Sequence, residues 1–317
     1  MKLYKAFLFT IFLIFLSCKN GVQIKKEVIL NDYNIVISPD LSNRINMVLH
    51  PKPIHDTVLI NYLISNSFNI LSLNNRRSGQ ADIYKIDFIN RGILSSSTID
   101  PNKMKIDFNQ FKNNQLNRAN YIRNVLNSDV KKFSNELTQV YNYSLINQTG
   151  ADIWNYFNET IKSSLVDTSL RQIQENSDII VNKKNHNVIL ILTDGYIESA
   201  NKGKGFRVGD ELISRIRKDF NKSGKSNLEE FIKADSSYAI KKTDFNLKDI
   251  NIFVGELVDR SLDKHGVAKM HPTDFQILKI IWETWLKDSG CSNVQVIQAV
   301  NTKQEFYEKF ENFLKTL

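Results

Sequence analysis

The stretch Tyr33-Asn34-Ile35-Val36-Ile37-Ser38-Pro39-Asp40-Leu41-Ser42-Asn43-Arg44 runs apolar and then stops on a carboxylate and a hydroxyl. β-Branched residues are frequent at 34–38, which favours a strand, and Pro39 ends its ladder because it has no N–H to donate. Asp40 and Ser42 therefore fall just past a strand end. In open α/β sheets the groups that hold ligands collect at the carboxyl ends of strands, and two oxygen side chains so placed suit a hard cation. A second such place is Val188-Ile189-Leu190-Ile191-Leu192-Thr193-Asp194-Gly195-Tyr196-Ile197, whose longer apolar run again stops on a carboxylate, Asp194. That run is continuous rather than alternating, the mark of a strand buried on both faces in a parallel sheet covered by helices.

Outward from these two strands, the spacing predicts a helix over 56–73, with Asp56 as its N-cap and Leu59, Leu63 and Ile70 on one stripe. Strands follow at 81–90 and 104–108. From 117 to 143 the apolar positions Ile122, Leu126, Val130, Phe133, Leu137 and Tyr141 recur every three or four residues, as on an amphipathic helix. Asp152 is placed to cap another, whose Ile153, Phe157, Ile161 and Leu165 form a core stripe. Past Asp194 the chain turns polar and glycine-bearing, then reads as helices at 209–220 and 227–234. A strand at 250–258, a helix capped by Thr273, a strand at 294–300 and a helix at 304–317 complete it. This alternation predicts an α/β fold, a three-layer helix-sheet-helix sandwich around a mostly parallel central sheet. No sequence repeat recurs at a fixed period.

The first residues suggest a destination. Lys2 and Lys5 precede an apolar run at 6–16, broken only by Thr10 and too short for a transmembrane helix, which needs ~20 apolar residues. Ser17 directly before Cys18 resembles a bacterial lipoprotein cleavage box, with Phe15 where leucine is commoner. The reading is a signal peptide at 1–17, a lipidated, palmitate-bearing Cys18, a polar tether at 18–27, and one domain over 28–317 with an insertion around 199–244. Lipidation would place the domain in the bacterial cell envelope, bound to a bilayer but folded in water. A plain signal peptide with a chance cysteine is the alternative. With 2 cysteines in 317 residues, Cys291 then has no partner for an internal disulfide, so stability must come from the core. The formal net charge of +8 includes both leader lysines. No Lys/Arg cluster is interleaved with aromatics, so no nucleic-acid partner is expected.

Asp40-Leu41-Ser42-Asn43-Arg44 after a first strand, with Thr193-Asp194-Gly195 after a later one, resembles the von Willebrand factor A domain and its metal-ion-dependent adhesion site. That family has Asp-x-Ser-x-Ser after the first strand, a threonine from a middle loop and an aspartate after the fourth strand. Asp40, Ser42 and Asp194 match, whereas Arg44 stands in place of serine. In the middle loop Gln148-Thr149-Gly150-Ala151-Asp152, Ala151 stands in place of threonine, with Thr149 and Asp152 as neighbouring substitutes. The resemblance implies an antiparallel edge strand on an otherwise parallel sheet. It also implies a Mg2+ or other divalent cation held by Asp40 and Ser42 directly, by Asp194 through water, and by Thr149 or Asp152. A partner carboxylate would complete the coordination. With two oxygen ligands missing, affinity should fall. A second possibility is that the Arg44 guanidinium lies between Asp40 and Asp194 and replaces the metal. A third has Arg44 pointing to solvent. Asn43, Tyr196, Lys202, Lys204 and Arg207 are the candidate partner-binding residues, since long insertions at strand ends are where partners are read.

Enzymatic readings have less support. The 5 histidines show no metal-ligand spacing, and there is no Gly-x-Ser-x-Gly elbow. Ser223-Gly224-Lys225-Ser226 has Asp219 where a phosphate loop requires its first glycine. A metal-dependent phosphohydrolase with Asp40 as nucleophile is the alternative. It lacks a second nearby carboxylate and a visible general acid. The expectation is a binding protein, not an enzyme, with a metal-free envelope scaffold as a further alternative.

Overall fold

The computed structural model describes residues 26–76, 79–96, 99–111, 114–148, 150–174, 179–197 and 207–317. The leader with Cys18, and Thr149, Lys202 and Lys204, lie outside the described residues. The described residues form two compact units, a large one within Asp32–Thr168 and Asn185–Leu317 and a small one of 26–31 with residues within Ser169–Lys184.

The strands are β1 (Lys26–Pro39), β2 (Ile83–Ile86), β3 (Lys105–Asp107), β4 (Arg171–Gln174), β5 (Ile179–Leu192), β6 (Ile250–Leu257) and β7 (Asn293–Gln298). Their order is β3-β2-β1-β5-β6-β7. β1 and β2 pair parallel, as do β5 with β6 and β6 with β7, while β3 is antiparallel to β2. The expected antiparallel edge is thus present. In the small unit β4 pairs antiparallel with the start of β5, Arg171 opposite Lys183. That hairpin has no counterpart among the expected strands, because its polar residues lack an apolar alternation.

Helices α1 (Asp56–Ser65), α2 (Ser67–Leu71), α3 (Gln115–Asn124), α4 (Leu126–Ile146), α5 (Ile153–Asn155), α6 (Asp210–Ser223), α7 (Leu228–Lys233), α8 (Asp274–Asp288) and α9 (Lys303–Lys315) cover both faces. Alternate residues of the central strands separate into two cores. Ile35, Ile37, Leu190, Leu192 and Phe253 meet Leu59 and Leu63 of α1, Phe133 and Leu137 of α4, and Phe306, Phe310 and Phe313 of α9. Val36, Ile189, Ile191, Ile252 and Val254 meet Ile213 of α6 and Leu278, Trp282 and Trp285 of α8. Each such side chain contributes roughly 1.5–3 kcal/mol by leaving water, which is why the continuous apolar runs sit at the centre of a three-layer sandwich.

Several local expectations change. The helix expected over 117–143 is interrupted at Val125, which joins α3 to α4. The stripe from Ile153 begins as one short α turn, then passes through a π turn at Tyr156–Thr160 and a 3-10 turn at Ile161–Ser164. His55, not Asp56, caps α1, its Nδ1 accepting from the Thr57 amide at 3.2 Å. Asp56 is then the first helical residue, and its carboxylate turns inward.

The site is positioned by where three strands stop. The Asp40 amide donates to the Leu192 carbonyl at 2.9 Å, and the Thr193 amide to the Gly255 carbonyl at 3.1 Å, so β1, β5 and β6 end on one rim. From β1 the sheet continues to β2 and β3 on one side, and from β5 to β6 and β7 on the other. The β1–β5 boundary is therefore the topological switch point, where open sheets of this kind leave a crevice.

Candidate functional site

A pocket of about 550 Å3 opens at that switch point, lined among others by Asp40, Ser42, Asn43, Arg44, Asp194 and Arg260. The two strand-end carboxylates therefore share one rim. Asp40 is nearly fully buried. Its Oδ1 accepts from the Ser42 amide at 2.9 Å and its Oδ2 from the Thr193 hydroxyl at 3.0 Å. Asp194 accepts from the Tyr196 amide at 3.1 Å, a turn that Gly195 makes possible. Gly195 has φ +90°, and a Cβ there would lie 2.8 Å from Leu257 Cγ, so both backbone and packing exclude a larger residue.

Arg44 is buried, not solvent-facing. Its Nε donates to the Asp40 carbonyl at 2.9 Å and lies 3.7 Å from Asp40 Oδ2. Its NH2 donates to the Leu192 carbonyl and to Asp56 Oδ2, both at 2.5 Å. The guanidinium thus turns its far edge to Asp56 and not to Asp194, whose counter-ion is Arg260, with NH2 3.2 Å from Asp194 Oδ2. Arg44 thus contacts Asp40 and Asp56 and acts on Asp194 only through space, while Arg260 makes the direct ion pair to Asp194.

Behind Arg44 lies an ion network that the sequence pattern does not disclose. Lys52 donates to Asp56 Oδ1 and lies 3.9 Å from Glu256 Oε2. The Tyr141 hydroxyl donates to Asp56 Oδ2 at 3.2 Å. Burial alone pushes the Asp56 carboxyl up, but Arg44 and Lys52 together outweigh it and hold it well below the usual carboxylate range. Burial raises the Asp194 carboxyl, and Asp40 adds to the rise against the opposing pull of Arg44. Glu256 is the extreme case. It is wholly buried, and neither carboxylate oxygen makes a hydrogen bond of ordinary geometry. Its φ is +72°, in the left-handed region that costs a side-chain-bearing residue about 1–3 kcal/mol, at a register shift between β6 and β7. Burial and the nearby Asp56 push its carboxyl up to about 7.

The remaining candidates separate. Asn43 is exposed, and its Oδ1 accepts from Gln148 Nε2 at 2.9 Å, tying the first loop to the middle one. Both Asp152 oxygens accept from Asn155, through its amide at 3.0 Å and its side chain at 2.7 Å, so Asp152 serves as the expected helix cap. Tyr196 lies beneath Arg260 at the pocket, and Arg207 lines a neighbouring pocket with Asp210, Glu211 and Arg215. The spacing of Lys52 and Asp56, and the charge at Glu256 inside an apolar strand, were the only sequence signals for the buried network. Nothing near Arg260 in the sequence points to Asp194.

The fit of a divalent cation can be judged from these contacts. Among the described residues no three His, Cys, Asp or Glu side chains converge as a metal cage. Asp40 offers oxygens already engaged by an amide, a hydroxyl and a guanidinium, and Asp194 carries its own arginine. A cation placed among them would have to compete with two guanidinium groups already in place, Arg44 beside Asp40 and Arg260 beside Asp194, so these residues do not fit the metal that the motif implies. Among the described residues no helix is long and apolar enough to cross a membrane. No protein-family model matches the chain, and no curated protein matches it.

Proposed function

We propose that the chain is a lipid-anchored binding module of the bacterial cell envelope, in which a von Willebrand A-like domain presents its strand-end rim to a protein partner without a resident metal. The observation that carries this reading is the pocket that gathers Asp40, Ser42, Arg44, Asp194 and Arg260 at the switch point. The first and middle loops are joined there by Asn43 and Gln148, which makes a continuous rim of the sort partners read. Support for metal independence is the ion pair that each carboxylate makes with an arginine, Asp40 with Arg44, which also serves Asp56, and Asp194 with Arg260. Support for binding over phosphoester hydrolysis is that Asp40 is nearly fully buried, with its oxygens turned to the Ser42 amide and the Thr193 hydroxyl.

Two measurements test the reading. Calorimetric titration of the purified domain with Mg2+ and Mn2+ should give no heat of binding. Heat that disappears in Asp40→Asn would restore the metal-dependent alternatives. A photo-crosslinking residue at Asn43 should yield discrete protein adducts in the intact envelope, while the same residue at the exposed Lys131 of α4 should not. Adducts at Lys131 alone, or at neither position, would remove the strand-end rim as the binding face.

A further inference from the structure

Arg260 is held in an unusual way for a half-exposed side chain. Its guanidinium carbon lies 3.6 Å from the centre of the Tyr196 ring, stacked on its face. One edge reaches Asp194 Oδ2 at 3.2 Å, and the other reaches the two Asp210 oxygens at 3.0 and 3.3 Å. An aromatic face with carboxylates at its margin is the set of groups that recognises a guanidinium, through cation–π attraction and charged hydrogen bonds. The Tyr196 ring is itself fixed from behind, its hydroxyl donating to Asp274 at 2.8 Å while Arg217 pairs with the same Asp274.

Arg260 faces two carboxylates, Asp194 and Asp210, while Arg44 is taken up by Asp40 and Asp56. Emptied of Arg260, the subsite presents an aromatic face with two carboxylates at its margin, a set of groups that favours a cation over an anion. Its occupant is also replaceable. The Arg260 side chain is 39% exposed and Asp210 71% exposed, so exchanging Arg260 for another guanidinium frees a solvated side chain and breaks no core packing. Two exposed apolar side chains lie close in sequence to residues that line the pocket: Val48, 90% exposed, two residues before His50, and Ile146, 83% exposed, at the end of α4 two residues before Gln148.

We propose that Tyr196, Asp194 and Asp210 form an arginine-binding subsite, occupied at rest by Arg260 and taken over by an arginine that a protein partner presents between aliphatic residues. This deepens the binding-module reading and rests on it. Arg260 acts as an internal competitor, so the apparent affinity for the partner is lowered to the fraction of molecules in which it has swung away.

The test uses the purified domain and three capped peptides, acetyl-Leu-Arg-Leu-amide, acetyl-Leu-Glu-Leu-amide and acetyl-Leu-Ala-Leu-amide, followed by amide chemical-shift titration. The arginine peptide should bind the wild-type protein, shift the Tyr196 amide, and bind Arg260→Ala roughly 5-fold more tightly or better as the competitor is removed. Asp194→Asn should abolish binding. The exposed Asp210→Asn should weaken it and cannot be dismissed as a folding defect. Preference for the glutamate peptide, abolished in Arg260→Ala, would overturn the arginine subsite while leaving the rim as a binding face. Equal binding of all three peptides, or no gain in Arg260→Ala, would also overturn it. Failure of every peptide on both proteins would overturn the subsite and count against the rim as well.

Discussion

Glu256 shows most sharply what one residue does to the energetics of this fold. Its carboxyl rises from an ordinary 4.5 to about 7. The groups that face it are Lys52, Arg44 and the Val300 amide, which favour the ionised form, and Asp56, which together with burial outweighs them. A carboxyl raised by folding binds its proton more tightly in the native state. Its contribution is fully present below about 4.5 and is lost as pH climbs through 7. A tenfold change in proton affinity is worth about 1.36 kcal/mol, so the loss is of order 3 kcal/mol. Glu256→Gln, which has no proton to lose, should therefore gain stability relative to the wild type as pH rises from 5 to 8. Urea midpoints across that interval measure it, and parallel pH profiles for the two proteins would show that Glu256 does not titrate there. Asp56 works in the opposite direction, since its lowered carboxyl stabilises the fold above the usual carboxylate range and that stability is lost on acidification. The same residues show what the sequence conceals. Asp40, Ser42 and Asp194 announce themselves by stopping apolar runs, whereas Arg260 reaches Asp194 only because the loop after β6 returns over Tyr196, and no local pattern encodes that return.

At the scale of elements, boundaries with a chemical signal were legible and those set by tertiary packing were not. Thr273 is the cap expected at the start of α8, and the structure adds a reciprocal bond from Gln276: Thr273 Oγ1 accepts from the Gln276 amide at 3.3 Å and Gln276 Oε1 from the Thr273 amide at 2.8 Å. At α1 the capping rank of aspartate over histidine misleads, because Asp56 is drawn to Arg44 and Lys52. Asp56 then falls inside the first turn, and His55 before it serves as the cap. The π turn at Tyr156–Thr160 has no propensity signature either. There the register slips to bury Tyr156 and Phe157 together, with the Tyr156 hydroxyl 2.6 Å from that of Ser38. Removing the α8 cap provides a clean test at this scale. Thr273→Ala should cost about 1 kcal/mol, lowering the denaturant midpoint without changing the slope of the transition, because α8 keeps Trp282 and Trp285 buried. An unchanged midpoint would mean that the packing of α8, and not its cap, determines where the helix starts.

For the whole molecule the decisive question is whether the proposed anchor holds it at a membrane. Two physical routes lead a basic protein to a bilayer, and they respond differently to salt. The basic excess of the chain, +8 with Lys2 and Lys5 of the leader included, can bring it to an anionic surface, but attraction between exposed charges is screened within a few ångströms at molar salt. Acyl chains on Cys18 would act through burial of methylene groups, each worth about 0.8 kcal/mol, and two such chains hold against salt. The full-length protein is expected to stay with the membrane fraction through a molar salt wash and to be released by detergent, while Cys18→Ala should appear in the soluble fraction and take up no labelled palmitate. The assignment of label to Cys18 is secured by the other cysteine. Cys291 is buried, its thiol is within 3.0 Å of the Ile250 carbonyl, and burial pushes its pKa up to about 12, so it presents no thiolate to an acyl donor. Label retained in Cys18→Ala, or release of the wild type by salt alone, would remove the lipid anchor and leave charge as the means of attachment. The strand-end rim would then face the bilayer surface or solvent with no tether to fix its distance from either.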